Sequence, residues 1–280
     1  MTDDRIVWLV VNGASGSNDE EAVARVREAL AAGGATPARV VDIQDDPCPD
    51  VAMLREAGVG LVAVFGGDGT INGLIGGLDG WDGSALALPG GTANLLAREL
   101  HGERSAEEIA ASVATLHPVR RQSITCSQGR ALIEVLAGPG ATWSDVREGI
   151  REGDIVEVAT TGAEAVRQSV AGPVVHLREP LIGRESGYTG IRLVPDSARM
   201  VVTGYGAETF GDYLLQGMAL LKRDYREGPH EELGQHGEVR CGSSDGEAIE
   251  LMIDGERRTG GSEERFSLAE LAVDLLATRR

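Results

Sequence analysis

The sequence contains a single lysine, Lys222, among its 280 residues. Two large classes of phosphate-transferring enzyme depend on a lysine: P-loop enzymes carry it in a glycine-rich loop, and protein kinases carry it on a strand beside the nucleotide phosphates. Lys222 follows the stretch Ala-Leu-Leu at 219–221, which has a helical pattern and no glycine loop before it. The sequence therefore excludes both classes.

Cysteines and long apolar runs are also scarce. The three cysteines, Cys48, Cys126 and Cys241, stand far apart, and their odd number predicts neither a disulfide framework nor a zinc cluster. No apolar run approaches the roughly 20 residues that a membrane-spanning helix needs. Residues 1–5 are acidic before the first apolar stretch, which is the wrong order for a secretory signal. These absences predict a soluble, cytoplasmic protein.

Positive charge is outnumbered, because 26 Lys and Arg residues face 44 Asp and Glu residues and the net charge is −18. This balance argues against a nucleic-acid partner and against docking on anionic lipid through a polybasic patch. An acidic surface also has an ordinary explanation, since it keeps a protein in solution. Peripheral contact with the inner face of a membrane stays open, as does the oligomeric state, a dimer included.

The first 117 residues alternate between short apolar runs and helical patterns. Runs rich in β-branched residues at 6–11, 39–42 and 61–65 predict strands, and the apolar spacing over 18–32 and 51–57 predicts helices. Such alternation is typical of a doubly wound α/β domain with a parallel sheet. Ligands of these sheets bind at the carboxyl ends of the strands.

Three glycine-rich turns follow predicted strands, at residues 12–16, 66–72 (Gly-Gly-Asp-Gly-Thr-Ile-Asn) and 88–94 (Leu-Pro-Gly-Gly-Thr-Ala-Asn). A strand, a turn without side chains and a helix together present backbone N–H groups to a phosphate. Because all three turns follow strands, we expect them to share one edge of the sheet. Asp68 has no evident structural purpose in such a turn, so we expect it to serve the chemistry.

From about residue 118 the pattern changes to short alternating strands separated by glycine, which predicts an antiparallel, β-rich second domain. Residues 207–225 carry apolar side chains at helical spacing and predict one helix within it. A final helix is predicted over 267–277, since Ser267 and Glu270 match a capping box.

Residues 66–72, 88–94 and 253–256 (Ile-Asp-Gly-Glu) resemble the three signatures of the diacylglycerol and sphingosine kinase superfamily, and its bacterial lipid kinases in particular. The distance from Asp68 to Thr92 matches that family. Gly-Gly-Asp-Gly alone also occurs in NAD kinases and phosphofructokinases, but the second signature is not expected of either. The resemblance implies two domains: an α/β nucleotide-binding domain of NAD-kinase and diacylglycerol-kinase type over 1–117, completed by a C-terminal helix within 264–280, and a β-sandwich acceptor-binding domain over 118–263.

The activity that the resemblance implies is transfer of phosphate from ATP, with magnesium, to a lipid hydroxyl such as that of diacylglycerol or a sphingoid or ceramide-like lipid. Asp68 would lie beside the magnesium ion or the attacking hydroxyl, and Glu256 would match the proton acceptor proposed for the family. Both are candidate catalytic residues. The implied nucleotide site consists of Asn12, Ser15, Gly16, Gly66, Gly67, Gly69, Thr70, Asn72, Gly91, Thr92 and Asn94.

Some features depart from the family pattern or allow another interpretation. Residues 194–198 replace a segment that helps to hold a structural metal in relatives, so no metal site is carried over there. The dipeptide Asp254-Gly255 also favours a simple hairpin turn, in which case Glu256 is only a hairpin residue. Two other functions stay open: a kinase of the same fold for a soluble polyol or nucleotide, and a non-catalytic lipid- or nucleotide-binding module. The presence of both Asp68 and Glu256 argues against the module.

Overall fold

The computed structural model of the protein describes residues 5–13, 19–138, 174–206 and 230–278. The predicted nucleotide-site residues Ser15 and Gly16 and the helix predicted over 207–225 lie outside the described residues. The chain divides into two compact units, Met1–Arg121 with Glu270–Arg280, and Gln122–Ala269. Each unit has a hydrophobic core of its own.

The first unit alternates strands and helices, as the sequence predicts. Helices α1 and α2 begin after Asp19 and Asp50, whose carboxylates accept the N–H groups of Ala22 and Met53. Carboxylate caps of this kind satisfy N–H groups that have no partner within the helix. The elements are β1 (Ile6–Val11), α1 (Glu20–Ala32), β2 (Pro37–Asp42), α2 (Val51–Glu56), β3 (Val59–Gly66), α3 (Asp68–Gly77), β4 (Ser84–Pro89), α4 (Leu95–His101), α5 (Ala106–Ala111) and a 3-10 turn (Val113–Thr115).

The sheet of the first unit has the strand order β2-β1-β3-β4, and all of these neighbours run parallel. Strand β3 is buried from Leu61 to Gly66, as its unbroken apolar run predicts for a strand covered on both faces. Parallel strands end at a common edge, so the segments after β1, β2, β3 and β4 come close together. The predicted doubly wound α/β architecture is confirmed.

The second unit is antiparallel and β-rich, which confirms the other half of the predicted fold class. The remaining strands of the chain are β5 (His117–Cys126), β6 (Gly129–Ala131), β7 (Val135–Ala137), β8 (Val175–Glu179), β9 (Gly190–Pro195), β10 (Met200–Tyr205), β11 (Glu231–His236), β12 (Glu238–Ser243), β13 (Glu250–Ile253), β14 (Glu256–Thr259) and β15 (Glu263–Ala277). One sheet has the order β11-β10-β9-β7-β13-β14, and in a further set β8 pairs with β12 and β5 pairs with β6.

The helix predicted over 267–277, and assigned to 264–280 in the domain division, is wrong: this segment belongs to β15. Leu271, Val273 and Leu275 are buried at a spacing of two residues, which is the period of a strand. Asp274 pairs with Ser84 of β4 in parallel, and the first residues of β15 pair with β12. These distant partners outweigh the helical preference of leucine, alanine and glutamate.

No helix in the described ranges is long and apolar enough to cross a bilayer.

Candidate active site

The first glycine turn joins β3 to α3. Gly67 is the N-cap of α3, and no side chain caps that end of the helix. The first N–H groups of a helix lack partners within the helix, and the helix dipole adds partial positive charge there. Helix α3 therefore begins with a group of backbone donors suited to a phosphate.

The second glycine turn joins β4 to α4 and depends on Asn94. This residue adopts a left-handed conformation with φ 52° and ψ 46°, which asparagine tolerates better than most residues. Its side-chain amide spans the turn: Oδ1 accepts the N–H of Gly91 at 2.8 Å, and Nδ2 donates to the carbonyl of Gly91 at 2.7 Å. Asn94 thus stabilises the second glycine turn, the motif in which it lies.

The two turns are packed directly against each other. The N–H of Gly90 donates to the carbonyl of Gly66 at 2.9 Å. A Cβ atom on Gly91 would lie only 2.6 Å from the Cα of Gly67, so the backbones approach too closely for any side chain at position 91. The glycine at position 91 is therefore required by the contact between the turns.

Asp68 links the two turns through its carboxylate, which is buried at 4% exposure. Oδ2 accepts the N–H of Asn94 at 2.9 Å, and Oδ1 accepts the N–H of Leu95 at 2.5 Å. These are charge-assisted bonds at the start of α4. The expectation that Asp68 has no structural purpose is therefore wrong, because its carboxylate joins the two turns. The local motif could not show this, since the two partners lie 26 and 27 positions later in the chain.

The segment after β1 joins the same edge. The side chain of Asn12 donates to Oγ1 of Thr70 at 2.9 Å and accepts from Nε2 of Gln44 at 2.9 Å. The carboxylate of Asp42, the last residue of β2, accepts the N–H of Gly13 at 3.2 Å. Neither Asp42 nor Gln44 is in the site predicted from the sequence, and the signal that could have found them is their position at the end of β2.

Most of the predicted nucleotide-site residues within the described ranges belong to this cluster of turns. The turns bring together Asn12, Gly66, Gly67, Thr70, Gly91 and Asn94. Gly69 follows Asp68 in the first turn of α3, and Thr92 is exposed on the second glycine turn. Asn72 is buried one helical turn after Asp68, and neither polar atom of its side-chain amide has a hydrogen-bond partner among the described residues. The cluster thus combines backbone donors, one carboxylate and one unsatisfied amide.

Glu256 lies in the second unit, whereas Asp68 lies in the first. Asp254 and Gly255 form a two-residue hairpin turn between β13 and β14 with φ values of 48° and 84°. Positive φ at both positions is the geometry that Asp-Gly favours. The dipeptide thus forms a hairpin turn, and a hairpin turn is compatible with either role of Glu256, whose side chain is exposed at the start of β14.

Asp254 is the buried carboxylate of this motif and is absent from the sequence-predicted site. Its oxygens accept the N–H groups of Leu132, Ile133 and Glu134 at 2.7, 2.8 and 2.9 Å. Burial, with a smaller contribution from the neighbouring Glu134, raises the pKa of Asp254 to about 6 against the opposing effect of these three donors. Asp254 therefore holds a loop that lies about 120 residues earlier in the chain.

Metal-binding clusters are not found in the part of the chain that the structure describes: no group of three or more His, Cys, Asp or Glu side chains there could hold a metal ion. A magnesium ion bound with a nucleotide does not need such a cluster, because it commonly takes one or two carboxylates together with phosphate oxygens and water. Asp68, between the two turns, fits that smaller requirement.

Comparison with known proteins agrees with this geometry. Residues 6–126 match the family model described as the diacylglycerol kinase catalytic domain. A solved structure described as a diacylglycerol kinase from Bacillus anthracis str. Sterne has 18% identity and a TM-score of 0.68, and covers 98% of this chain and 97% of that one. A second, described as a putative diacylglycerol kinase from the same organism, has 17% identity and a TM-score of 0.68, with 98% of each chain covered. No curated protein matches the chain.

Residues 6–126, which include both glycine turns, are thus similar to the catalytic domain of diacylglycerol kinases. The resemblance to the diacylglycerol kinase superfamily, which the glycine signatures indicated, is confirmed.

Proposed function

We propose that the protein is a kinase that uses ATP and magnesium to phosphorylate the hydroxyl group of a lipid. The observation that carries the proposal is the contact between the two glycine turns, with the Asp68 carboxylate bonded across them. Phosphoryl transfer requires little covalent chemistry from a protein, and positioning and charge neutralisation supply most of the catalysis. A rigid pair of turns rich in N–H donors meets the first requirement.

The residues of the first unit would bind the nucleotide. The start of α3, from Gly67 to Thr70, would donate N–H groups to the phosphates, and Gly67 would let them approach the backbone. Thr92, which is exposed on the second turn, would donate its hydroxyl from the other side. Asp68 would hold magnesium, which supplies charge neutralisation on the phosphates when it is bound.

The proton of the lipid hydroxyl has to leave as its oxygen takes up the phosphoryl group. Glu256 is the proposed acceptor, since a carboxylate within hydrogen-bond reach can act as a general base. Its exposure leaves it free to meet an acceptor, whereas Asp254 is enclosed by the loop it holds. The products would be a phosphorylated lipid and ADP.

The test is transfer of radiolabelled phosphate from ATP to a panel of diacylglycerol, ceramide, sphingosine, undecaprenol and glycerol. Asp68→Asn keeps the shape of the side chain and removes its charge, and we expect turnover to fall by roughly two orders of magnitude or more. Because the new amide also turns a donor toward one of the N–H groups of Asn94 and Leu95, urea unfolding of the variant is measured as well, and turnover is compared under conditions in which the variant is folded. Asp50→Asn is the matched control, because the described contact of the Asp50 side chain is its cap of α2, which asparagine makes equally well.

Each result of this assay has a definite meaning. Labelled lipid from the parent and from Asp50→Asn, with little from Asp68→Asn, supports the proposal. Label in glycerol alone identifies a polyol kinase of the same fold. Tight ATP binding without transfer to any acceptor identifies a binding module and contradicts the proposal.

A further inference from the structure

Four large apolar side chains are exposed among the described residues, and two of them are neighbours. Ile6 and Val40 are exposed singly, at 40% and 36%, which is common on protein surfaces. Leu181 is 84% exposed and Ile182 is 37% exposed. The pair lies in the loop between β8 and β9, and we call residues 180–184 the apolar loop.

Several contacts fix the base of the apolar loop. The N–H of Arg184 donates to the phenolic oxygen of Tyr188 at 2.9 Å, and the Arg184 side chain pairs with Glu231 at 2.7 Å. Tyr188 is itself buried and forms a bridge with Val175 at the start of β8. Gly183 has φ +90°, and a Cβ there would lie 2.4 Å from the Tyr188 oxygen. The loop is therefore built to hold Leu181 in solvent, rather than left loose.

The exposed pair is too small to bind another protein stably. A standard protein interface buries about 800 Å² on each partner, and two aliphatic side chains supply a minor part of that. A bilayer needs no complementary shape, because apolar side chains enter the boundary between headgroups and acyl chains wherever they meet it. The size of the patch favours a lipid surface.

The charge of the chain excludes one way of reaching a membrane. A net charge of −18 opposes attraction to anionic lipid, and the described helices include none that could span a bilayer. An enzyme with a lipid acceptor still has to reach its substrate in a membrane. Insertion of apolar side chains needs no positive charge, and it can act on a bilayer that carries no net charge.

We propose that the apolar loop docks the protein on a lipid bilayer, with Leu181 and Ile182 entering the interfacial layer. The inference rests on the proposed lipid acceptor, and it adds how the enzyme reaches it. Arg178, which is exposed three positions before Leu181, would stay at the level of the headgroup phosphates, since arginine keeps its charge in water. Docking through two side chains is weak and reversible, so the enzyme can leave the bilayer again after it binds.

The test is sedimentation of the purified chain with phosphatidylcholine vesicles at low and high salt. The parent should bind to the same extent at both salt concentrations, because insertion is apolar. The double variant Leu181→Ser with Ile182→Ser should bind about tenfold more weakly or worse, as expected when two aliphatic side chains no longer leave water. Val40→Ser is the matched control, since Val40 is as exposed as Ile182 and lies in β2, outside the apolar loop; it should bind like the parent.

Activity separates this inference from the proposed function. With a lipid acceptor in vesicles, the double variant should show a raised KM; with a short-chain acceptor below its micelle concentration, it should match the parent. If the double variant binds vesicles as the parent does, the docking inference is overturned while lipid phosphorylation stands. If the double variant loses vesicle binding and the parent phosphorylates no lipid, docking is supported and the proposed lipid kinase activity is contradicted. If the double variant binds vesicles as the parent does but has a lower molecular mass than the parent by light scattering, the loop contacts a second copy of the chain, and the docking inference is overturned.

Discussion

Gly67 and Gly91 meet across the two glycine turns at a distance that leaves no room for a side chain on one of them. A Cβ on Gly91 would lie 2.6 Å from the Cα of Gly67, whereas a Cβ on Gly67 would have Gly91 as its nearest neighbour at 3.8 Å. Glycine is thus needed at these two positions for different physical reasons, although the motifs are similar. Position 91 is fixed by packing, and position 67 is free for whatever binds beside it.

Alanine at these two positions should separate folding from binding. Gly67→Ala fits the structure, so we expect its stability to stay within about 0.5 kcal/mol of the parent while its affinity for Mg-ATP falls, because the methyl group enters the space proposed for phosphate. Gly91→Ala should lose roughly 1–3 kcal/mol of stability, since the turns must move apart. Urea unfolding and calorimetry measure the two effects. ATP binding by Gly67→Val at parental affinity would show that the phosphates lie elsewhere.

Asp254 and Glu256 should also have separate roles, the first in stability and the second in turnover. Asp254→Asn keeps one acceptor oxygen and turns an amide donor toward one of three backbone N–H groups, so we expect a loss of about 1–3 kcal/mol of stability. Because Glu256 is exposed, Glu256→Gln should leave the free energy of unfolding and the ATP affinity unchanged while it lowers turnover. Full turnover in Glu256→Gln would make Glu256 a hairpin residue only.

His101 should give the first unit a dependence on pH. It is 2% exposed at the end of α4, and its Nδ1 lies 2.9 Å from Oγ1 of Thr278. Burial, together with a smaller effect of the nearby charge of Arg104, lowers the pKa of His101 from 6.5 to about 4. The folded state therefore resists protonation: the stabilising effect of neutral His101 is complete above pH 6.5 and is lost as the pH falls to about 4.

This shift corresponds to about 3 kcal/mol of stability. His101→Asn does not titrate and can keep a hydrogen bond to Thr278, so its stability should fall less than that of the parent between pH 7 and pH 4. Urea unfolding of both chains across that range measures the difference. Parallel pH curves for parent and variant would contradict the assignment of a depressed pKa to His101.

The β15 strand should be a core element of the first unit. Leu275 pairs with Ala85 of β4 and is fully buried, so Leu275→Ala should cost roughly 2–5 kcal/mol of stability. Glu263→Ala, at the exposed start of the same strand, should change stability by no more than about 0.5 kcal/mol. Thermal unfolding of the two variants tests this, and equal melting temperatures would remove β15 from the core.

Local sequence patterns were enough to predict the parallel sheet, the antiparallel second part and the turns at the strand ends. Each of these rests on residues within a few positions of one another, such as the apolar run before Gly66. The helix predicted over 267–277 failed because its real partners, β12 and β4, are distant in the sequence. Capping-box residues such as Ser267 and Glu270 report a local preference that strand pairing overrides.

The candidate site shows the same limit. The glycines and Asp68 were predicted from their motifs, but the bonds from Asp68 to Asn94 and Leu95 join two separate turns. Asp254 was not predicted as a buried residue, since the loop it holds lies about 120 positions earlier. A motif indicates which residues matter, and only the fold shows what they contact.

The pairing of Ser84 with Asp274 spans 190 positions of sequence, which has a consequence during synthesis. Ribosomes add about 5–20 residues each second, so β4 waits roughly 10–40 seconds for its neighbour. During that interval one side of β4 offers unpaired backbone groups, and open strand edges readily join other chains. A nascent chain of this protein should therefore need shielding by a chaperone until residue 275 has left the ribosome.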